Sequence, residues 1–211
     1  MKFSTTRKVL FLCILCFMVL AGVSCRGGYT DASDKPPANW APYSIQDLSF
    51  RFPAGWSAIS WEAVTDKMQE NMNLLGEENK LALYGYFASP VGDRGTIDYL
   101  SFAYMEMKGE VTASDMEAIM DELSALSKSM RSLGVDAEIV QKARIRHYGS
   151  VDALTLAYQV GYGQAACVIQ IGLVPRGNRI YQVAYSNFTT VKDDNTLERL
   201  LTSLTFADAA P

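Results

Sequence analysis

Residues 151–173 read Val-Asp-Ala-Leu-Thr-Leu-Ala-Tyr-Gln-Val-Gly-Tyr-Gly-Gln-Ala-Ala-Cys-Val-Ile-Gln-Ile-Gly-Leu, and this stretch decides the fold. Leu154, Leu156, Tyr158 and Val160 alternate with smaller or polar residues, and Cys167, Ile169, Ile171 and Leu173 resume the same period of two. That period puts the apolar set on one side of an extended chain. Gly161-Tyr162-Gly163-Gln164 turns between the two runs. Upstream, Ile139 to His147 enters the stretch through Gly149-Ser150; downstream, Pro175-Arg176-Gly177-Asn178 leads into Ile180 to Tyr185. Links this short cannot make parallel crossovers, so the spacing predicts an antiparallel meander.

Working back from the meander, Met116, Ile119, Met120, Leu123, Leu126, Met130 and Leu133 form a helical stripe closed by Gly134. Ser114-Asp115-Met116-Glu117 before it has capping-box spacing. Leu81 to Ala88 and Tyr99 to Met107 are β-like, separated by the turn-rich 89–95. Trp61, Val64, Met68, Met72 and Leu75 share a helical face that Gly76 would stop. Leu48-Ser49-Phe50-Arg51-Phe52 alternates as a strand, and Pro53-Ala54-Gly55 ends it. Leu197, Leu200, Leu201 and Leu204 mark a last helix. The order of elements predicts an α+β sandwich: a single antiparallel sheet, with the meander in the C-terminal half, flanked by helices.

The chain begins with a different chemistry. Lys2, Arg7 and Lys8 precede Val9 to Val23, an uncharged apolar run shorter than the ~20 residues that span a bilayer. That is the plan of an export signal. Leu20-Ala21-Gly22-Val23-Ser24-Cys25 resembles the lipobox of bacterial lipoproteins, although the preferred Leu three residues before the cysteine is here Gly22. The expected organisation is a lipoprotein signal peptide at 1–24, lipidated Cys25 with a flexible tether at 25–43, and one domain at 44–211. The alternatives are ordinary cleavage near Ala21-Gly22-Val23, releasing an unlipidated chain, or an uncleaved anchor.

Removing Lys2, Arg7 and Lys8 reduces the basic residues from 19 to 16 against 23 acids, a formal charge of −7. No Lys/Arg cluster stands out in the mature chain, so nucleic acid is not an expected partner. Membrane attachment is then expected through the lipid on Cys25 alone. Cys13 and Cys16 leave with the signal, and Cys167 remains in an apolar run as an inert buried thiol. If Cys25 were unlipidated, a Cys25–Cys167 bridge would be open to it.

Catalytic patterns are sparse. His147 is the only histidine, which removes histidine-rich metal sites from consideration, and no Gly-x-Ser-x-Gly elbow or phosphate loop occurs. Glu117, Asp121 and Glu122 lie off the stripe of their helix and read as a solvated face rather than a cation site. Tyr84, Tyr86, Tyr99, Tyr104, Tyr158, Tyr181 and Tyr185 fall within strands, where aromatic packing is expected. Tyr148, Tyr162 and Asp93 are the candidates for a small-ligand cleft between sheet and helices.

Two end pieces carry a family resemblance. Leu48-Ser49-Phe50-Arg51-Phe52-Pro53-Ala54-Gly55-Trp56 resembles the entry of PsbP-like domains, a superfamily with Ran-binding and bacterial-envelope (DcrB-type) members. Tyr181-Gln182-Val183-Ala184-Tyr185 and Leu201-Thr202-Ser203-Leu204-Thr205-Phe206 resemble its closing strand, helix and tail. The resemblance implies antiparallel sheets flanked by helices and an accessory or binding role, and it carries over no active-site residue. The expectation is therefore a lipid-anchored, non-catalytic envelope accessory protein with a protein partner and no cofactor, facing the periplasm or cell surface. A small-ligand or metal-binding carrier is the alternative.

Overall fold

The computed structural model describes residues 35–59, 81–91, 96–132, 136–162, 165–188 and 195–207. Cys25, the signal, Asp93 and the helix expected at 61–76 lie outside the described residues.

Ten strands and two helices are described. In chain order they are β1 (Ala41–Ile45), β2 (Leu48–Phe52), β3 (Ser57–Ala58), β4 (Leu81–Ala88), β5 (Tyr99–Glu106), α1 (Ala113–Ser132), β6 (Asp136–Tyr148), β7 (Val151–Tyr162), β8 (Ala165–Arg176), β9 (Arg179–Asn187), α2 (Thr196–Ser203) and β10 (Thr205–Phe206). A seven-stranded sheet runs β3-β4-β5-β9-β8-β7-β6, with every neighbouring pair antiparallel. The predicted meander is its β6-to-β9 half. The α+β class stands, and a small sheet of order β1-β2-β10 is added to the large one.

Strand alternation separates two cores. On β9, Ile180 and Ala184 face one way while Tyr181, Val183 and Tyr185 face the other. The first face carries Met105, Leu154, Leu156, Tyr158, Cys167, Ile169 and Ile171, and receives Met116, Ile119 and Leu123 of α1. Tyr158 resolves its own burial by donating its hydroxyl to the Leu123 carbonyl at 3.1 Å. The second face carries Phe87, Leu100, Phe102 and Val183, and is covered by Phe50 and Phe52 of β2 and the leucines of α2. Phe50 stacks on Phe102 at 4.1 Å between centroids, and Tyr43 meets Phe87 edge-on at 5.0 Å. Such pairs add ~0.5–1.5 kcal/mol each beyond the area they bury.

The pieces at the two ends of the domain meet. Thr205 and Phe206 of β10 pair with Ser49 and Leu48 of β2, and Ser203 Oγ accepts the Arg51 amide at 2.9 Å. Between β2 and Trp56 the chain turns at Gly55, whose φ of +86° suits a residue without Cβ. The half-buried Trp56 ring then lies 6.0 Å from Tyr185.

Two expectations are corrected here. The expected tether includes residues 40–43, yet Trp40 is buried in the second core and β1 begins at Ala41. The cap of α1 is Thr112, not Ser114. Thr112 Oγ1 accepts the Asp115 amide at 3.2 Å while Asp115 Oδ2 accepts the Thr112 amide at 2.9 Å, which is the reciprocal capping box two residues earlier than expected.

Candidate functional site

The sheet positions each candidate side chain differently. Cys167 lies on β8 in the α1-side core and is 1 % exposed. Burial pushes its thiol pKa up, and the charge of Asp98 adds to the effect. The neutral thiol is a poor nucleophile, so Cys167 behaves as a small core residue. His147 and Asp152 pair across the β6–β7 hairpin, with His147 Nδ1 2.9 Å from Asp152 Oδ1. Both side chains stand in open solvent, where nothing excludes water or orients a substrate.

Two of the three cleft candidates, Tyr148 and Tyr162, do not converge, and Asp93 lies outside the described residues. Tyr148 closes β6 at the hairpin end and is buried against the α2-side core, its hydroxyl 3.2 Å from Thr155 Oγ1. Tyr162 ends β7 at the opposite end of the sheet. A strand of 12 residues separates the two ends, roughly 40 Å at ~3.3 Å per residue. Tyr148 is a core residue with a satisfied hydroxyl, and it shares no cleft with Tyr162. On α1, Glu117 and Asp121 are exposed. Among the described residues no group of three His, Cys, Asp or Glu could hold a metal ion.

Polar groups that the linear pattern did not single out are more organised. At the Tyr162 end, buried Asp98 takes the Phe188 amide on Oδ1 at 2.8 Å and the Tyr185 hydroxyl on Oδ2 at 3.3 Å. Its own amide donates to Ser89 Oγ at 2.9 Å. These bonds clamp the ends of β4, β5 and β9 together, which is a structural use of a carboxylate. At the other end, the Arg179 guanidinium lies 4.5 Å from the Tyr104 ring and donates to Glu106 Oε1 at 2.8 Å. Arg176 lies over Phe206 at 4.6 Å and donates to the Ala207 carbonyl at 3.2 Å. Together they seal the open end of the aromatic core with cation–π and charge-assisted contacts.

The surface shows what the interior does not. Among the described residues the exposed large apolar side chains are Val91, Val140 and Ile145, and the last two share β6. β6 also carries Lys142, Arg144 and Arg146. Arg144 reaches inward, with Nη2 3.9 Å from Oε1 of buried Glu198 on α2. Among the described residues β6 pairs as a strand with β7 alone, and Ala137 near its start is fully buried.

No family model matches the sequence, and no curated protein does. Several solved structures are similar in shape, two of which follow. A protein of Bacteroides thetaiotaomicron VPI-5482 gives a TM-score of 0.49 at 9 % identity over 76 % of this chain. This chain spans 45 % of the length of that protein. LpqN of Mycobacterium tuberculosis, described as involved in cell envelope biogenesis, gives 0.40 at 10 % identity over 78 % of this chain and 84 % of its own. Likeness at this level carries no function across. Among the described residues no helix is long and apolar enough to cross a membrane.

Proposed function

We propose that this chain is a lipid-anchored, non-catalytic accessory module of the bacterial envelope, whose PsbP-like body binds a protein partner. The observation that carries the binding role is the placement of exposed apolar surface. Val140 is 49 % exposed and Ile145 43 %, and both lie on β6, the last strand of the seven-stranded sheet among the described residues, while both faces of the sheet are packed. An exposed edge with apolar side chains is a template for another chain. The non-catalytic part is supported by the suppressed thiol of Cys167 and the solvated His147–Asp152 pair. The anchor is supported by the apolar run Val9–Val23 ending in small residues before Cys25.

The test is a pull-down from native membranes with the Cys25-anchored protein, beside Cys25→Ala and Ile145→Glu variants. Specific envelope proteins should be recovered by the wild type and lost from both variants. Recovery no better than that of Cys25→Ala would remove the support for a partner.

One observation favours a small-ligand carrier instead. Gln182 lies on central strand β9 facing the α1-side core, is 5 % exposed, and its Nε2 has no hydrogen-bond partner among the described residues. A buried donor left unmade costs about 1–3 kcal/mol, which a ligand oxygen or a buried water would recover. A Gln182→Leu variant that is more stable and keeps every function would count against the carrier reading.

A further inference from the structure

We infer that the body stands end-on at the bilayer, with the turn at 53–56 and the Pro90–Val91 loop resting in its interfacial layer. This rests on the reading of Cys25 as the anchor and adds the surface by which the body meets the lipid.

The placement begins with where the tether ends. Trp40 is buried in the α2-side core and Ala41 pairs with Phe52. The chain therefore enters the body beside the point where β2 leaves into Pro53-Ala54-Gly55. That turn touches a second segment. A Cβ on Gly55 would lie 3.5 Å from Pro90 Cγ, and Ser57 of β3 stands opposite Ala88 of β4. The tether entry, the turn and the loop together make one tip of the molecule.

The described residues of this turn and loop are apolar and carry no charge. Residues 53–58 read Pro-Ala-Gly-Trp-Ser-Ala, and 88–91 read Ala-Ser-Pro-Val. Val91 is 67 % exposed, the most of any large apolar side chain among the described residues. Ala54 and Pro90 are also exposed, and Trp56 is half-buried. Burying such side chains in the interfacial layer is favourable, and no charge has to leave water. Indole rings prefer that same depth.

The opposite end differs in chemistry and in reach. Tyr99 pairs with Ala88 and with Ser186, so the tip lies where β4 and β9 end and β5 begins. The β6–β7 and β8–β9 hairpins close the other end and expose Arg146, His147, Asp152 and Arg176. Bringing that set into the layer would strip water from charges of both signs. From Cys25 to Trp40 the chain spans at most about 50 Å at ~3.3 Å per residue. β9, with 9 residues, separates the two ends by roughly 30 Å. The hairpin end meets the bilayer only if most of the tether runs alongside the body, whereas the tip needs none of that length.

The test uses the mature chain isolated from native membranes and placed in vesicles of phosphatidylethanolamine and phosphatidylglycerol. A polarity-sensitive fluorophore is attached to the thiol introduced by Val91→Cys. The Cys25 sulfur is acylated and Cys167 is buried, so neither competes for the label. Emission should move to the blue and be quenched by a nitroxide lipid at headgroup depth. The same fluorophore at Glu117→Cys on α1 and at Arg146→Cys, both exposed, should emit as in water. At Ala54→Cys it should show the blue shift and lose it when Val91→Asp is added. A shift retained beside Val91→Asp would mean that the fluorophore, not the tip, enters the lipid, and overturns the contact. Water-like emission at Val91→Cys, on a sample whose N-terminus is acylated Cys25 by mass spectrometry, overturns the contact and leaves the anchor standing. Equal shifts at Val91→Cys and Arg146→Cys overturn the orientation. An unmodified N-terminus on soluble protein removes the anchor and the contact with it.

Discussion

The two faces of the seven-stranded sheet are closed by different means, and neither resembles the β6 edge. Beneath α1 the core is mostly aliphatic, with Ile169, Ile171, Leu154 and Leu156 meeting Met116, Ile119 and Leu123 beside Tyr86, Tyr158 and Phe188. Beneath the small sheet and α2 it is aromatic, built on Phe50, Phe52, Phe87 and Phe102. Aliphatic contacts are adaptable, whereas a ring stacked at 4.1 Å joins two sheets through one interlocked contact. The edge has exposed apolar side chains and a row of charges instead. The contrast teaches that substitutions in the body should register as stability and substitutions on the edge as binding.

Phe102→Ala would strain that contrast most. It should cost about 3–5 kcal/mol in denaturant unfolding, at or above the ~2–5 kcal/mol of Leu123→Ala on the other face. The reverse order would mean that the aromatic layer is not what holds the small sheet. Next is Gly149→Ala in the β6–β7 hairpin. Gly149 has φ +56°, and a Cβ there would run into the Thr202 carbonyl oxygen of α2. We expect a loss of about 2 kcal/mol, since backbone must move to admit it. A neutral result would show that α2 is loosely seated.

Cys167 sharpens the difference between interior and surface by pH. Its folded pKa is raised by burial. The stability this represents is complete below the ordinary thiol pKa and is lost as pH rises beyond it, by up to about 1.4 kcal/mol per pH unit. Cys167→Ala should make alkaline unfolding shallower, although buried Tyr86 and Tyr158, also raised, contribute at higher pH. Native Cys167 should react with a thiol reagent only as the chain unfolds; rapid labelling would show the interior open.

Thr112→Ala should cost about 1 kcal/mol through loss of the cap. Hydrogen bonds from the Thr112 side chain and then its backbone hold the Asp115 pKa below its ordinary value. The support from Asp115 is therefore present above the ordinary carboxyl pKa and fades as pH falls through its lowered one. In the Thr112→Ala chain that acid-side fading should be weaker, read by helical circular dichroism against pH. Smallest of all, Ile145→Thr should change stability by no more than ~0.5 kcal/mol while reducing partner recovery.

Much of this body is legible in the sequence because its elements are local. The alternation of Leu154, Leu156, Tyr158 and Val160, the stripe of Met116, Ile119 and Leu123, and the leucines of α2 each declare one buried side. The small sheet is less legible. β1 shows only Tyr43 and Ile45 around Pro42, and it is held by β2, whose other neighbour β10 lies some 150 residues away in the chain. No local window contains that pairing. The cap of α1 was two residues out because Thr112 and Ser114 both begin acceptable capping boxes, and the Asp115 side chain decides between them. The candidate site suffered most. Tyr148 and Tyr162 belong to one hairpin in sequence yet close opposite ends of the sheet. The β6 edge stayed hidden because chain order does not say which strand ends a sheet, and because Lys142, Arg144 and Arg146 are diluted in an acidic total.

All of the functional reading depends on where the body is held, and that rests on Cys25. Mass spectrometry of the N-terminus of the mature protein isolated from membranes tests it most directly. The account predicts that the first residue is Cys25 carrying acyl chains on its sulfur through a glyceryl thioether. An unmodified N-terminus at any other residue, on protein recovered from the soluble fraction, would contradict it.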